Sequence, residues 1–527
     1  MGASGCASTP QGCARWKQAG RLWRDAKRSN SGVKPSYSVA PEGLADLVEI
    51  VECAERERMG VRMTGAGFSF SDVAFSRGFL LSPAEMGAAL ELPKDQLRAG
   101  VDARLHFRAE AGARISSLNA ELDCAGLAFS NLGGTSGQTI VGAAMTATHG
   151  SGLRHGPISS QIASMQVVTA GASVLQLEPT AGITDPQKFP GYIESQGRRV
   201  PAKLVQDDAH FNAVVVSMGA MGLVYAVVLK VVPAYWLQEV PHVVKWGELT
   251  CPGGFMDRLM RGQPLSAHGP EPYSYEVLLN PYPASIGGGP ADHQCVLQQY
   301  YKLEQEPWRS ASDRKRGMLG KEVDALATEL SAKGALLAET VNHRPDLAPA
   351  ALNASLASRG DRTYINKSHE IFNIGPVNYM RAFGIEMSFR FEDAVRVAER
   401  FFELARSHYD QGMVHTTPCT LRFVKPSAAN LAMMHDRKTV TLEIGSAIGV
   451  RRSREMLVNY EKVFISEFAA RPHWGADLNV LTSIDQVRAL WGEANVDQWL
   501  AIYRQLNRTG TFNSPFTDRL GISVQPA

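Results

Sequence analysis

The chain has 527 residues, of which 20% are charged and 44% are hydrophobic, and its formal net charge is +2. A chain of this length needs more than one hydrophobic core, so two or more domains are expected. The near balance of basic and acidic side chains gives no reason to expect nucleic acid or an anionic membrane as a partner.

The N-terminus is basic and has a single acid, Asp25, within its first 29 residues. Such a segment could be a transit peptide, although it lacks the apolar core of a secretory signal. We interpret residues 1–34 as an N-terminal extension with a flexible start.

The seven cysteines are scattered, odd in number and free of any CxxC pair, which argues against a disulfide framework and a structural zinc site and favours a reducing, cytoplasmic compartment. No run of 18 apolar residues occurs, so no membrane span is expected.

Helices and strands alternate irregularly through the first 235 residues. A helix over 41–58 is predicted because Leu44, Leu47 and Val51 repeat at helical spacing. A strand at 61–65, a helix at 113–129, a hairpin of 163–170 with 173–178, and a strand at 223–232 are predicted next. This mixture is typical of an α+β domain.

The texture changes beyond Pro233. Patches rich in glycine and proline between residues 250 and 290 predict long loops, and residues 303–340 are charged and helix-prone. The segment 386–408 predicts a strand followed by an amphipathic helix. A second domain is therefore expected in this part of the chain.

Two glycine-rich stretches suggest an anion site. The first, VRMTGAGFSFSD at 61–72, places glycines and serines at a strand end, where backbone N–H groups can approach an anion. The second, NLGGTSGQTIVGAAMTATHGSG at 131–152, continues with small residues that would let a helical turn lie against a ligand. Neither stretch reads GxGxxG or GxxxxGK[ST], so dinucleotide-binding Rossmann and P-loop sites have no direct support.

The two stretches together resemble the pyrophosphate-binding loops of vanillyl-alcohol-oxidase-type FAD enzymes. The similarity is to the sugar-oxidase branch, the aldonolactone, gulonolactone and alditol oxidases, whose loops read GSGHSFSD and QTIAG…STGTHGTG. Residues 211–233 resemble the adenine-side segment of that family, and 471–475 and 507–521 resemble its closing motifs.

The resemblance implies an α+β fold of two domains with the PCMH-type FAD-binding architecture. The FAD-binding domain would span 35–235, an α+β substrate-binding cap domain would span 236–470, and residues 471–527 would return to the FAD domain. The FAD-binding residues implied by the resemblance are Thr64, Gly65, Ala66, Gly67, Phe68, Ser69, Phe70, Gly134, Thr135, Ser136, Gln138, Thr139, Gly142, Ala143, Thr146, Thr148, His149, Gly222, Val224 and Asn513.

Phe68 departs from the family pattern. The sugar oxidases usually have a histidine at this position, and its ring nitrogen bonds covalently to the flavin. A phenyl ring has no nucleophilic nitrogen, and residues 131–152 contain no cysteine that could form the linkage of the berberine-bridge branch. We therefore expect non-covalent FAD, with Phe68 against the flavin; a core phenylalanine in a broken motif is the alternative.

Four catalytic candidates follow, because flavin-dependent hydride abstraction needs a proton acceptor and nearby positive charge. His149 could contact flavin or substrate, or only orient its loop. His473 could supply the cation that the family has at the position of Ala476, or form a structural pair with Trp474. Arg422 could contact substrate or flavin, with Glu386 or Glu443 as its partner, or be a surface strand residue; Thr420 replaces the family's glutamate.

The sequence thus predicts an FAD-dependent oxidoreductase, an oxidase or dehydrogenase that abstracts hydride from a CH–OH or CH–N carbon of a small molecule such as a natural-product intermediate. The electron acceptor would be O2 or another molecule; the oligomeric state stays open, and His149 and His155 do not have the spacing of a metal site. A large apolar substrate is suggested by Phe372, Tyr379, Phe383, Met433 and Met434. A flavin-dependent reductase or redox-neutral biosynthetic enzyme, and a decayed non-catalytic FAD-binding protein, are the alternatives.

Overall fold

A computed structural model describes residues 11–266, 269–285, 287–307, 333–358, 360, 363–373, 381–477 and 480–525. Helices and sheets are mixed throughout, as the α+β prediction requires, and the two largest hydrophobic cores lie in different halves of the molecule. Tyr379 and most of the helix-prone segment 303–340 lie outside the described residues.

The first domain contains two main sheets. Three parallel strands lie in the order Tyr37–Val39, Phe79–Leu81, Val61–Met63. Six strands lie in the order Lys203–Gln206, Ser173–Glu178, Ile162–Thr169, Leu223–Lys230, His106–Glu110, Ala89–Leu90. Two small pairs join Tyr192–Ser195 to Arg198–Pro201 and Leu127–Ala128 to Val232–Pro233. The helices of this part are Leu44–Arg56, Ile115–Cys124, Ile140–Met145 and Asp208–Val214.

The periodic segments of the first domain form as predicted. Leu44, Leu47 and Val51 are fully buried on one face of the helix Leu44–Arg56, which is why the apolar repeat identified it. The predicted hairpin closes with Thr169 opposite Ser173.

The cap domain is built on one eight-stranded sheet. Its strands lie in the order Tyr364–Lys367, Trp236–Lys245, His293–Lys302, Ser274–Pro283, Cys419–Val424, Thr439–Ala447, Ala382–Arg390, Arg471–Pro472. Helices Ala394–Asp410 and Ser453–Phe468 bury their apolar faces in the same core as these strands. Shorter helices are Trp246–Thr250, Phe255–Met260, Ala348–Ala357 and Ser368–Phe372.

The prediction of long loops across residues 250–290 is wrong for Ser274–Pro283. This segment is an interior strand of the cap sheet, and all of its residues but the last are buried. Its two prolines gave the loop signal. Pro281 lies where the pairing with His293–Lys302 is irregular, and Pro283 is the last residue of the strand, so neither proline interrupts the regular part of the sheet.

The C-terminal helices pack against elements from the first half of the chain. Ile484–Trp491, Glu493–Leu506 and Pro515–Arg519 bury side chains in the same core as those elements. The amide of Val61 donates to the carbonyl of Thr511 over 2.8 Å, so the strand that leads into the first glycine loop is completed from the end of the chain.

The N-terminal extension is folded from residue 11 onward, and the expected flexible start lies outside the described residues. A short helix, Gln11–Ala14, packs on Leu44–Arg56, and Cys13 forms a disulfide with Cys53. This disulfide contradicts the expectation that the cysteines are all reduced, which cysteine spacing alone could not reveal. Among the described residues, no helix has the length and apolar character needed to cross a bilayer.

Candidate active site

Both glycine-rich loops and three strands of the cap sheet face one cavity of about 260 Å³. It collects most of the residues that the sequence singled out, although they are up to 408 positions apart in the chain. The predicted residues that line it are Gly65, Ala66, Gly67, Phe68, Ser69, Phe70, Gly134, Thr135, Gln138, Thr139, Gly142, Thr146, Thr148, His149, Glu386, Arg422 and His473.

The two glycine loops touch each other at the floor of this cavity. A Cβ added to either Gly65 or Gly142 would lie 2.7 Å from the hydroxyl oxygen of Thr139, so neither position has room for a side chain. Thr139 in turn caps the following helix by accepting a hydrogen bond from the Gly142 amide over 3.2 Å. At Gly65 and Gly142 the loops therefore present backbone to whatever occupies the cavity.

The polar atoms of the loops fit the diphosphate and flavin of FAD. Within the described part of the chain, the amide N–H groups of residues 65–69 donate to no protein acceptor. Gln138 lines the same cavity, and its side-chain oxygen is buried without a hydrogen-bond partner among those residues. Since buried polar groups are normally paired, a donor-rich turn of this kind suits an anionic ligand.

Phe68 lies between the two loops. A Cβ added to Gly137 would be 2.7 Å from Cζ of the Phe68 ring, so the ring packs directly on the second loop. The side chain also lines the cavity and is only partly buried. Phe68 is therefore placed at the ligand site and does not belong to the closed core.

A buried histidine–glutamate pair joins the second glycine loop to the cap sheet at the wall of this cavity. Nε2 of His149 lies 3.1 Å from Oε1 of Glu386, at ion-pair distance but without the alignment of a hydrogen bond. Both residues line the cavity, and the Glu386 side chain, 13% exposed, is the more accessible member, since that of His149 is 1% exposed.

The two charges of this pair reinforce each other. Burial lowers the pKa of His149, but the facing carboxylate of Glu386 outweighs burial and raises that pKa above 6.5. Burial likewise raises the pKa of Glu386, yet His149, with help from His473 and Arg422, holds it below its usual range. An imidazolium beside a carboxylate is the state that these shifts favour.

Hydrogen bonds fix the tautomers of the two histidines. Nδ1 of His149 lies 2.8 Å from the carbonyl oxygen of Gly150, which can only accept, so Nδ1 carries a proton. Nδ1 of His473 accepts from the Gly475 amide over 3.0 Å, so the ring proton is on Nε2. Burial lowers the pKa of His473 to about 4. His473 is therefore a neutral hydrogen-bond donor, and it does not replace the cation that the family has at the position of Ala476.

Arg422 is held by two carboxylates. Its Nε donates to Glu276 over 2.9 Å and its NH1 donates to Glu443 over 2.7 Å. Burial lowers the pKa of Arg422, but these two carboxylates outweigh that effect and raise it. Glu443 was one of the two predicted partners; Glu386, the other, pairs with His149 instead because its side chain points there.

Some predicted residues lie outside the cavity lining. Thr64 donates to the carbonyl of Leu81, Ser136 accepts from Asn373, and Ala143 and Val224 are buried in the core. Gly222, at φ +142°, packs against the backbone of Val168. Asn513 lines a separate cleft and accepts hydrogen bonds from Tyr503 and Asn507. Their contacts with FAD stay predictions.

The predicted aromatic and methionine set is divided by the fold. Phe383 lines the cavity, whereas Phe372, Met433 and Met434 belong to the core of the first domain. The described members of this set therefore do not form one substrate surface. Among them, only Phe383 is in a position to contact a substrate in the cavity.

Two lining residues were missed because they come from the N-terminal extension. Trp23 and Lys27 face the cavity from a segment that was interpreted as preceding the domain. Their only sequence signal was an aromatic residue among basic ones, which does not distinguish a site from a solvated tail. The cap adds the backbone of Gly384 and Gly445.

Sequence families match both halves of the site. An FAD binding domain matches residues 35–178, and the family described as D-arabinono-1,4-lactone oxidase matches residues 290–520. This chain is an FAD-linked oxidoreductase of the vanillyl-alcohol-oxidase type, from its sugar-oxidase branch. The family and the enzyme class predicted from the loop motifs are confirmed.

Known relatives of this oxidoreductase are distant. L-gulono-1,4-lactone dehydrogenase of Mycobacterium tuberculosis is 23% identical over 441 residues, or 84% of this chain and 86% of the relative. L-gulonolactone oxidase of Mus musculus is 27% identical over 208 residues, or 40% of each chain.

Solved structures share the fold of this oxidoreductase. A solvent-stable cholesterol oxidase superposes with a TM-score of 0.69 and 16% identity, covering 98% of this chain and all of the other. Cholesterol oxidase from B. sterolicum gives a TM-score of 0.68 and 14% identity, with 99% of both chains covered. The predicted α+β fold with a PCMH-type FAD-binding architecture is confirmed.

Proposed function

We propose that this enzyme oxidises a CH–OH carbon of a small molecule and that it holds FAD without a covalent bond. The observation that carries the proposal is the single cavity in which the glycine loops face Glu386, His149, Arg422 and His473. The names of the relatives and structural neighbours refer to gulonolactone, arabinonolactone and cholesterol, and all three molecules carry hydroxyl groups. A CH–N carbon, the other predicted substrate type, is less well matched by a carboxylate and an arginine.

The loops would bind the cofactor. Amides of residues 65–69 would donate to the diphosphate, and Gln138 would meet a polar edge of the flavin. Bound FAD supplies the two-electron acceptor that takes the hydride. Phe68 offers the flavin an apolar contact and no atom that could bond to it.

Glu386 would accept the proton of the substrate hydroxyl. Its carboxylate stays ionised because His149 faces it, and it is the more exposed member of the pair. The O–H bond then breaks as the C–H pair of electrons leaves as hydride, and a carbonyl forms. His473 Nε2–H and Arg422 would donate hydrogen bonds to the substrate oxygen, while His149 would position Glu386.

Glu386→Gln tests the proton acceptor. The amide keeps the shape of the side chain but cannot take a proton, so flavin reduction by an alcohol substrate should slow about 10²- to 10⁴-fold. The measurement is anaerobic stopped-flow with holoenzyme and a panel of aldonolactones, polyols and sterols. Glu194→Gln, on an exposed hairpin, is the control and should reduce normally.

The outcomes separate the competing functions. A Glu386→Gln holoenzyme as fast as the wild type would remove the assigned role. Bleaching by NAD(P)H but by no alcohol would favour the reductase, and an FAD that no reductant bleaches would favour a non-catalytic binding protein. Repeating the mixing with O2 shows whether oxygen is the electron acceptor.

Acid precipitation of the holoenzyme tests the attachment of FAD. Non-covalent FAD goes into the supernatant, so a yellow pellet from wild-type protein would contradict the proposal. Phe68→His restores a ring nitrogen at the position where the family carries its linkage, and part of its flavin should stay in the pellet. Phe68→Leu is the matched control and should release all of it.

A further inference from the structure

Lys27 reaches the cavity from the N-terminal segment, and its backbone neighbour fixes where it lies. The amide of Ala26 donates to the carbonyl of Gly67 over 2.6 Å, so the segment is hydrogen-bonded to the first glycine loop itself. Gly67 has φ +80°, and a Cβ there would lie 3.1 Å from the Ala26 nitrogen. Only glycine allows the segment to lie this close to the loop.

Further contacts hold the lysine from both sides. Asp25 accepts from the amides of Lys27 over 2.9 Å and Asn30 over 2.8 Å, which closes a tight turn around the lysine. Arg454 of the cap domain donates to the carbonyl of Ser29 over 2.7 Å. The ammonium lies 5.7 Å from the centre of the Phe70 ring, at the end of the loop.

The ammonium of Lys27 has no carboxylate within 4 Å among the residues that the structure describes. Burial lowers its pKa, while the more distant carboxylates of Glu443 and Asp25 oppose that effect. The other charged groups of the lining are paired, His149 with Glu386 and Arg422 with Glu443. A partly buried cation left without a partner suits a ligand charge.

We propose that Lys27 supplies the fixed positive charge that stabilises negative charge on the flavin of this enzyme. The proposal rests on the proposed function, since it requires bound FAD. His473 cannot fill this role because it is neutral, and Ala476 has no charge to offer, although both line the same cavity as Lys27. The cation is thus delivered from residue 27 and not from the segment 471–476.

A substrate anion is the competing partner for this ammonium. Two contacts favour the cofactor, because the Ala26 amide ties the segment to Gly67 and the ammonium lies 5.7 Å from the Phe70 ring, whose own amide donates to the carbonyl of Gly475 beside the segment 471–476. A group meant for the substrate would be expected on the cap sheet, beside Glu386 and Arg422. Lys27 is instead one residue away from the cofactor loop.

Sulfite binding to the holoenzyme tests the proposal without substrate turnover. Sulfite adds to N5 of oxidised flavin and leaves negative charge on the pyrimidine ring, so its affinity reports nearby positive charge. Lys27→Met should raise the sulfite dissociation constant about tenfold or more, as expected for loss of a unit charge in a partly buried site. Lys27→Arg should keep most of the affinity, and the flavin midpoint potential should fall in Lys27→Met alone.

Lys17→Met is the matched control. Lys17 belongs to the same segment but pairs with Glu57 over 2.9 Å and does not line the cavity, so its loss should leave sulfite affinity and potential unchanged. A Lys27→Met protein with bound FAD, wild-type sulfite affinity and wild-type potential overturns the inference, and a raised KM for an anionic substrate would then assign Lys27 to the substrate. A wild-type protein that takes up no FAD overturns the proposed function itself.

Discussion

At the scale of single residues, the contact between Phe68 and Gly137 limits the width of the ligand site. The ring of one loop lies against the backbone of the other, and a methyl group at position 137 would sit 2.7 Å from ring carbon Cζ. Because protein interiors are close-packed, such a contact leaves the ring no unoccupied space to move into except the cavity. In the proposed FAD site, the side chain at position 68 would determine both the chemistry available to the flavin and the space left for it.

Gly137→Ala should push the Phe68 ring toward the flavin site and weaken FAD binding. Overpacking costs about 1–3 kcal/mol, which corresponds to roughly 5- to 150-fold in the FAD dissociation constant. Fluorescence titration of the apoprotein with FAD measures this dissociation constant. Adding Phe68→Leu should restore affinity, whereas Gly289→Ala, where nothing lies within 4 Å of the added Cβ, should bind normally. Unchanged binding by Gly137→Ala would show that the ring can move at no cost.

The pair of His149 and Glu386 makes part of the stability depend on pH. The pKa of His149 is raised above 6.5 in the folded protein, so the folded state binds the proton more tightly than the unfolded chain. The stabilisation is fully present below pH 6.5 and is lost as the pH rises through the raised pKa.

His149→Gln removes this dependence. The urea midpoint of the wild type should fall toward that of the variant between pH 6.5 and pH 9, at constant ionic strength, and the two curves should be parallel below pH 6.5. A difference that is constant from pH 6 to pH 9 would mean that the histidine is never charged.

At the scale of elements, the helix Ala394–Asp410 brings a histidine into the cap core with no partner. His408 is 1% exposed, and neither ring nitrogen has a hydrogen bond among the described residues. Burial lowers its pKa to about 4, and burial also lowers the pKa of the neighbouring His415 to about 3. Both are neutral in the folded protein, so the unfolded chain binds more protons than the folded one below pH 6.5.

The cap domain should therefore lose stability as the pH falls from 6.5 toward 4. Each such histidine costs about 1.4 kcal/mol per pH unit in that window. His408→Leu should unfold at a higher urea concentration than the wild type at pH 5, with a smaller gain at pH 7. The control is His343→Leu, whose ring is 63% exposed and pairs with Glu339. An equal gain at both pH values would indicate packing and not proton uptake.

The elements also show what the sequence could reveal. Glycine loops, the helix Leu44–Arg56 and the hairpin closed by Thr169 and Ser173 are local patterns, so they could be predicted. Glu276 faces Arg422 because their strands are paired in that register, and strand register across a sheet has no local signal. Glu386 could be predicted as a site residue. Its pairing with His149 could not be predicted, because that contact also depends on how distant segments pack together.

At the scale of the whole molecule, the N-terminal segment connects the two domains across the cavity. It bonds to Gly67 on one side and to Arg454 on the other, and the disulfide of Cys13 with Cys53 anchors its beginning. Composition alone assigned this segment to a tail, because a basic stretch looks the same whether it is solvated or docked. The cytoplasmic location expected from the cysteines loses its support, since disulfides persist mainly in oxidising compartments.

Removing the disulfide should loosen the segment and its hold on FAD. Closing a loop of 40 residues typically stabilises a fold by about 2–4 kcal/mol. Cys13→Ser with Cys53→Ser should release FAD at a lower urea concentration than wild type, followed by flavin fluorescence. Cys124→Ser, which removes an exposed free thiol, should not. An unchanged release midpoint would mean that the other contacts suffice.

The first glycine loop depends on contacts with residues far downstream in the sequence. Asp72 at its end is paired with Arg519 over 2.7 Å, and the strand before it is hydrogen-bonded to Thr511. Synthesis must therefore pass residue 519 before the first loop has all of these contacts and the proposed flavin site is complete. Chains cut short by a late stop codon should be colourless, even though every loop residue has already been translated.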